Sequence, residues 1–416
     1  MEKEENFLTP IGSLKYKFKH YLYLITEYGT YLYVFLLFFD RGEGLRTLGL
    51  YGALSAWTAL FFLKKINLSY DVITSGFFVF VVITVLSSFF SIEPVYSLQF
   101  LKRDILKAAI TFLIISTYFD TRMILRLCKV ICIAGIIILF FGLHSLLLGR
   151  TSYYTSENIF LSLHKNEFGF FVGLFAPFFI LFFVRAKKRL EKGIWSLSVI
   201  WGIFGTLLSA SRGSIGSIFV AILIWVAFLF KKQHLKTALK VSILFGLLVI
   251  FSFSLWPGLI KEHLLSFPED ISTFTLRTVR FWEPAMESVK KRPLLGWGYG
   301  NKLYRDQRPF EGVEKPYWEI KGGLHSTFIT ILFHQGIAGL LSYLFLLFST
   351  SFILFKIAKN ATNEKKLLAI AFLSIIVGSF FVNCFVISVP LKRLAPVLGM
   401  SSALFNKWSK YENDST

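Results

Sequence analysis

Charge is scarce in this 416-residue chain: Asp, Glu, Lys and Arg together make up 17% of it, against about 25% in an ordinary soluble domain. Cysteine is nearly missing. Cys128, Cys132 and Cys384 are the three present, all inside apolar runs. Cys128 and Cys132 share a helix face at i, i+4, but no His or carboxylate stands by to complete a metal site. They read as small buried hydrophobes, which leaves no disulfide framework. HxxxH and HExxH spacings do not occur, nor does a DxD pair to hold a divalent ion on a sugar nucleotide. The Gly-rich run 296–300 lacks the Lys-Ser/Thr of a P-loop and reads instead as a turn bringing backbone close to helices or substrate.

What abounds is apolar surface. Hydrophobic residues reach 55% and aromatic ones 18%, with 48 Phe, and the mean hydropathy is +0.61. Such a chain has nowhere to place its surface in water and reads as an integral membrane protein, not a soluble enzyme or a disordered polymer. Apolar stretches of about 17–25 residues can cross a bilayer as helices. They fall near 21–39, 45–63, 72–90, 105–119, 130–148, 167–184, 194–210, 213–230, 238–256, 326–355, 367–388 and 394–405. The runs are continuous, not alternating, which argues against a barrel. The expected fold is thus an all-α polytopic bundle of about 12 transmembrane helices. Residues 1–20 are polar and no small-residue cleavage site follows, so no cleavable signal peptide is expected.

The formal charge of +20 is mostly a topology signal. With the N-terminus in the cytoplasm, cytoplasmic segments carry 24 Lys and Arg and the short external ones 10. The remaining 11 lie in one long external loop, 257–325, beside nine acidic residues. Basic clusters such as Arg185, Lys187, Lys188 and Arg189 face anionic inner-leaflet lipid, and no nucleic-acid partner is expected. The chain divides into helices of 1–256, the loop of 257–325 with short helices of its own, and 326–416 with the last helices and a cytoplasmic tail. A loop this long, carrying a helix expected over 275–291 and stopped by Pro293, is where function concentrates.

Polar residues at the external rim are the candidates for chemistry. Arg212, in Ser211-Arg212-Gly213, stands alone between two apolar runs. It serves as an interface anchor, or as a guanidinium holding a phosphate by two hydrogen bonds. Arg277 and Arg280 share a helix face at i, i+3, where the alternatives are a surface ion pair with Glu283 and a grip on a lipid pyrophosphate. His325 sits where the loop re-enters the membrane, placed to act as a general base near neutral pH. His334, nine residues on, is either a secondary candidate or a buried hydrogen-bonded residue.

Four segments in order around the loop resemble the O-antigen ligase / O-antigen polymerase superfamily of bacterial membrane proteins, over roughly residues 160–350. They are Lys165-Asn166-Glu167-Phe168-Gly169 followed by Pro177; Ser211-Arg212-Gly213; an Arg…Trp helix leading to Arg292-Pro293-Leu294-Leu295-Gly296-Trp297-Gly298-Tyr299-Gly300; and His325-Ser326 followed by Gly336-Ile337-Ala338-Gly339-Leu340. The resemblance implies a GT-C-like membrane glycosyltransferase of the bacterial inner membrane, acting at the periplasmic face. Its donor would be a glycan on undecaprenyl diphosphate and its acceptor lipid A–core, within membrane lipid and without a cofactor or metal. His325 matches the family's loop-end histidine and Arg212 its membrane-edge arginine. The usual Arg lies four residues before Trp, whereas Arg277 lies five and Arg280 two before Trp282, so both stay candidates. Ser326 stands where Asn is common, and Asn166 and Ser326 join His334 as secondary positions. Polymerases of the superfamily often show two arginine-rich external loops, while 149–166 here holds Arg150 and Lys165 alone. That favours a ligase over a polymerase or related oligosaccharide transferase. A transporter or flippase fits least, since no internal repeat is seen.

Overall fold

Every described element is helical, as backbone in lipid requires when each N–H and C=O must be satisfied internally. The computed structural model describes residues 10–39, 42–66, 68, 70–147, 165–208, 212–229, 282–300, 324, 326–385 and 391–415. In chain order the helices are α1 (Pro10–Leu36), α2 (Glu43–Phe62), α3 (Val72–Phe89), α4 (Pro94–Leu101), α5 (Lys107–Tyr118), α6 (Thr121–Leu147), α7 (Lys165–Arg185), α8 (Arg189–Leu208), α9 (Arg212–Leu229), α10 (Glu283–Lys291), α11 (Thr327–Asn360), α12 (Asn363–Phe385) and α13 (Leu391–Ser415). Helices occupy every expected span except 238–256, which lies outside the described residues. Four of them, Val72–Phe89, Thr121–Gly142, Thr327–Asn360 and Asn363–Cys384, are long and apolar enough to cross a membrane.

Local chemistry explains the boundaries. Asp71 caps α3, accepting from the Thr74 N–H at 2.9 Å. Pro94 opens α4, where its missing N–H costs nothing. The span expected to begin at 105 is instead the second half of a longer helical stretch. A wide π-turn, Lys102–Leu106, joins α4 to α5. That turn leaves Arg103 exposed and turns Asp104 inward, 7% exposed.

The bundle pairs α1 with α2, α3 with α11, α5 with α13 and α9 with α12, and α7 packs on α8, α9 and α12. Its core is phenylalanine-rich: Phe77 stacks on Phe112 at 4.1 Å, and Phe38 meets Phe171 and Phe175 edge-on. Close packing of this kind, not expulsion of water, holds helices together where lipid is as apolar as the core. Phe62, Phe348 and Phe352 point outward, as a lipid-facing surface demands.

Candidate active site

The loop re-enters the bundle through α10 and the Gly-rich run. α10 buries Pro284, Ala285, Ser288 and Val289 on one face, and these join Trp297, Leu324 and Phe333 in a small second core. Lys290 and Lys291 in its last turn complement the helix dipole. As expected from Pro293, the helix ends at Lys291. Two indoles tie the core to backbone: Trp297 Nε1 donates to Ser288 O at 2.9 Å and Trp282 Nε1 to Leu324 O at 2.9 Å. Arg292 donates to Phe90 O at 3.0 Å and lies over the Trp297 ring, 4.9 Å from its centroid.

The next six residues are built into α11. In an unbroken helix the Ile337 and Ala338 amides would donate to Phe333 and His334 carbonyls. Gly336 interrupts that ladder with φ 65° and ψ −165°, a conformation nearly confined to glycine. Ile337 N–H then donates to Pro293 O at 2.8 Å, and Ala338 N–H to Leu294 O at 3.2 Å. The two vacated carbonyls accept from the loop: Trp297 N–H reaches Phe333 O at 3.0 Å, and Gly298 N–H reaches His334 O at 2.9 Å. Two helical bonds are exchanged for four between loop and helix. The fit leaves no room for a side chain, because a Cβ on Gly336 would sit 2.4 Å from Leu294 backbone and one on Gly296 2.5 Å from Phe333 O.

His334 completes the junction. It is 4% exposed, and its Nδ1 lies 2.7 Å from Gly298 O. A carbonyl only accepts, so Nδ1 carries the hydrogen and Nε2 keeps its lone pair. Of the two expectations for His334, the buried hydrogen-bonded one describes this geometry. Ser87 Oγ donates to His334 O at 2.6 Å, and Ser91 Oγ to Trp297 O at 3.0 Å. Both serines stand at the end of α3, and sequence reasoning passed them over because single serines in apolar helices usually bond their own i−4 carbonyl. Tyr299 is half-buried, packing on Phe100 and His334, and the loss of hydration there pushes its phenol well above the ordinary range.

Around the junction, three helix starts meet the end of α12. Ser326, 4% exposed, precedes α11 and donates to Asn383 O at 3.5 Å. In α9, Gly216 lies against Phe381 and Ser217 against Gly378. Ser217 also lies against Gly173 of α7. Thus the starts of α7, α9 and α11 gather where α12 ends. Asn166 and Arg212 belong to the first turns of α7 and α9, although their side chains lie outside the described residues. His325, directly before Ser326, lies outside them too, as do Arg277 and Arg280. Asn383 is a polar residue that the sequence reading missed. It is fully buried and its amide donates to the Tyr343 hydroxyl at 3.0 Å. Its Oδ1 has no hydrogen-bond partner among the described residues. Its signal was an amide alone in the run Phe380-Phe381-Val382-Asn383-Cys384-Phe385, where an unsatisfied polar group is costly.

Sequence comparison bears on the same region. Residues 197–344 match a protein family described as O-antigen ligase. The chain is also 25% identical over 251 residues to an O-antigen ligase of Salmonella typhimurium (strain LT2), in an alignment covering 59% of this chain and 60% of that protein. The alignment therefore spans less than two thirds of the relative. Both findings support the O-antigen ligase superfamily as the one this chain resembles.

Proposed function

We propose that this chain is a membrane glycosyltransferase of the O-antigen ligase type. It moves polysaccharide from undecaprenyl diphosphate to lipid A–core at the periplasmic face of the bacterial inner membrane, as a step of lipopolysaccharide biosynthesis. The observation that carries the reading is the gathering of three helix starts at the end of α12, two of them, α9 and α11, inside the matched residues 197–344. Helix N-termini present unpaired N–H groups and the positive end of the dipole, so this is the end of the bundle where a diphosphate is best held.

In this mechanism Arg212, with Arg277 or Arg280, grips the donor diphosphate by guanidinium forks and stabilises charge as the glycosyl–phosphate bond breaks. His325 takes the proton from the acceptor hydroxyl as that oxygen attacks the anomeric carbon. One displacement without a covalent intermediate inverts that carbon. Undecaprenyl diphosphate departs as a weakly basic anion and needs little protonation. Ser326 and Asn383 are buried at the same end, where they brace the start of α11 against the end of α12. Arginines supply the positive charge, so neither a metal ion nor a nucleotide is required.

The test is transfer by purified protein from carrier-linked glycan to rough lipopolysaccharide, with chelator present and nucleotide omitted. Polysaccharide-capped lipopolysaccharide is the expected product. His325→Ala should reduce the rate by about 10²–10⁴-fold, the usual share of a general base, while the protein stays folded in the membrane. Full activity of that variant would remove His325 from the mechanism. Longer carrier-linked chains in place of capped lipopolysaccharide would mark a polymerase.

A further inference from the structure

The residues of α11 make two helices folded on each other. Phe328 and Tyr343 would stand about 22 Å apart along an unbroken helix, yet their ring centroids lie 6.2 Å apart. Gly336 lies about midway between them, and its break folds residues 327–335 back as a short arm. The far end of the arm is held by the junction, through Trp297 N–H on Phe333 O and Gly298 N–H on His334 O. Its start is held by α12. Phe328 packs on Phe380 at 5.0 Å. Asn383, on the same face of α12 at i+3, stands in the last turn, where carbonyls run out of helical donors. Ser326 Oγ donates to that carbonyl at 3.5 Å and makes no side-chain bond to the amides of its own helix. The Asn383 side chain donates to the Tyr343 hydroxyl at 3.0 Å, and the Tyr343 ring packs on both Phe328 and Phe80. Asn383 thus joins the start of the arm to the helix on which the arm folds back.

Stability alone does not explain an amide at this place. Asn383 is fully buried, and its Oδ1 has no hydrogen-bond partner among the described residues. Turned over, the amide would accept from the Tyr343 hydroxyl and leave Nδ2 unpaired instead. Either way one buried polar atom keeps its desolvation penalty, which a leucine of similar size would avoid. What the amide adds is direction, because a hydrogen bond fixes an angle and a distance where packed rings can slide. We propose that Asn383 and Tyr343 are positioning residues. They fix the angle at which the arm folds back, and so the place of its first residues beside the starts of α7 and α9. Under the ligase reading, on which the use of this device rests, the residue directly before Ser326 is the base. A shift of about 1 Å in such a group costs about a hundredfold in rate.

Asn383→Leu and Tyr343→Phe test this in the full chain in nanodiscs, by amide hydrogen exchange, thermal melting and transfer kinetics. Each variant should speed exchange over residues 327–335 about tenfold, the equivalent of one hydrogen bond, while α3 and α12 stay protected. The double variant should exchange no faster than the singles. Asn383→Leu should melt no lower than the parent, since the unpaired atom leaves with the amide, yet lose about tenfold in kcat at unchanged KM. Tyr343→Phe should lose as much in kcat and also melt lower, because it strands the whole amide. Unchanged exchange over 327–335, or faster exchange confined to α12, overturns the proposal. So does a loosened arm with kcat intact, or a fall in melting for Asn383→Leu with activity per folded molecule preserved, which would make the amide a stability device. Absence of transfer from the parent chain would count against the ligase reading, and exchange would still decide whether the pair holds the arm.

Discussion

The two ends of α3 meet the same difficulty, polar groups inside an apolar bundle, and solve it in different ways. At its N-cap Asp71 is 6% exposed and accepts from Thr74 Oγ1 at 2.9 Å, Ser402 Oγ at 2.6 Å and Asn406 Nδ2 at 3.1 Å. Side chains do all the work there, and α3 and α13 keep their backbone ladders. At the other end, about 27 Å away for 18 residues at 1.5 Å each, Ser87 bonds a helix whose ladder has been opened, while the Phe90 carbonyl and Ser91 bond the loop at Arg292 and Trp297. There the backbone itself is exchanged, loop for helix. Irregular backbone within a bundle persists only where protein satisfies it, and it occurs at the end where the starts of α7, α9 and α11 gather. One end is a lock between regular helices; the other positions a loop.

Substitutions at the two ends should separate these roles. The largest effect belongs to Gly336→Val, which imposes a forbidden backbone conformation and drives a side chain into Leu294. A loss of about 4 kcal/mol or more is expected, read as a sharp fall in melting temperature in detergent together with loss of transfer. A variant that melted normally would mean the break in α11 is incidental. Next comes Asp71→Ala, which removes the cap and strands two or three buried donors, for about 2–3 kcal/mol. Transfer per folded molecule should survive it, and if activity fell further than the folded fraction, the far end would not be a mere lock. The smallest effect is expected of Ser87→Ala, about 1 kcal/mol, because His334 O still accepts from Gly298 N–H. A cost equal to that of Asp71→Ala would show that the junction has no redundancy.

Much of this was legible in the chain. Apolar runs located the helices, since only a continuous helix can carry twenty apolar residues across lipid, but not all their ends: α1 and α6 begin two to three turns before their apolar runs and α13 continues well past its own. Pro293 marked the end of α10, and the glycines after it announced a close backbone approach. Other features escaped. A span read as 326–355 contains a break at Gly336, which hydropathy does not register because a break changes no side-chain polarity. The stretch before α5 hides a π-turn that separates exposed Arg103 from buried Asp104, which pairs with Lys392 of α13. Asn383 was visible only as one amide among phenylalanines, with nothing in its spacing to tie it to Ser326.

Hydrophobicity is additive along a chain, so composition and run length alone committed this one to helices in a membrane, and the order of short motifs was enough to indicate a family. Which carbonyl takes which amide is not additive. The exchange between Pro293–Gly298 and Phe333–Ala338, the assembly of three helix starts beside Asn383, and the pairing of Lys107 with Glu43 and of Lys392 with Asp104 were settled only in the folded bundle. Hydrogen bonds and charge pairs depend on distances of a few ångströms between residues tens to hundreds of positions apart.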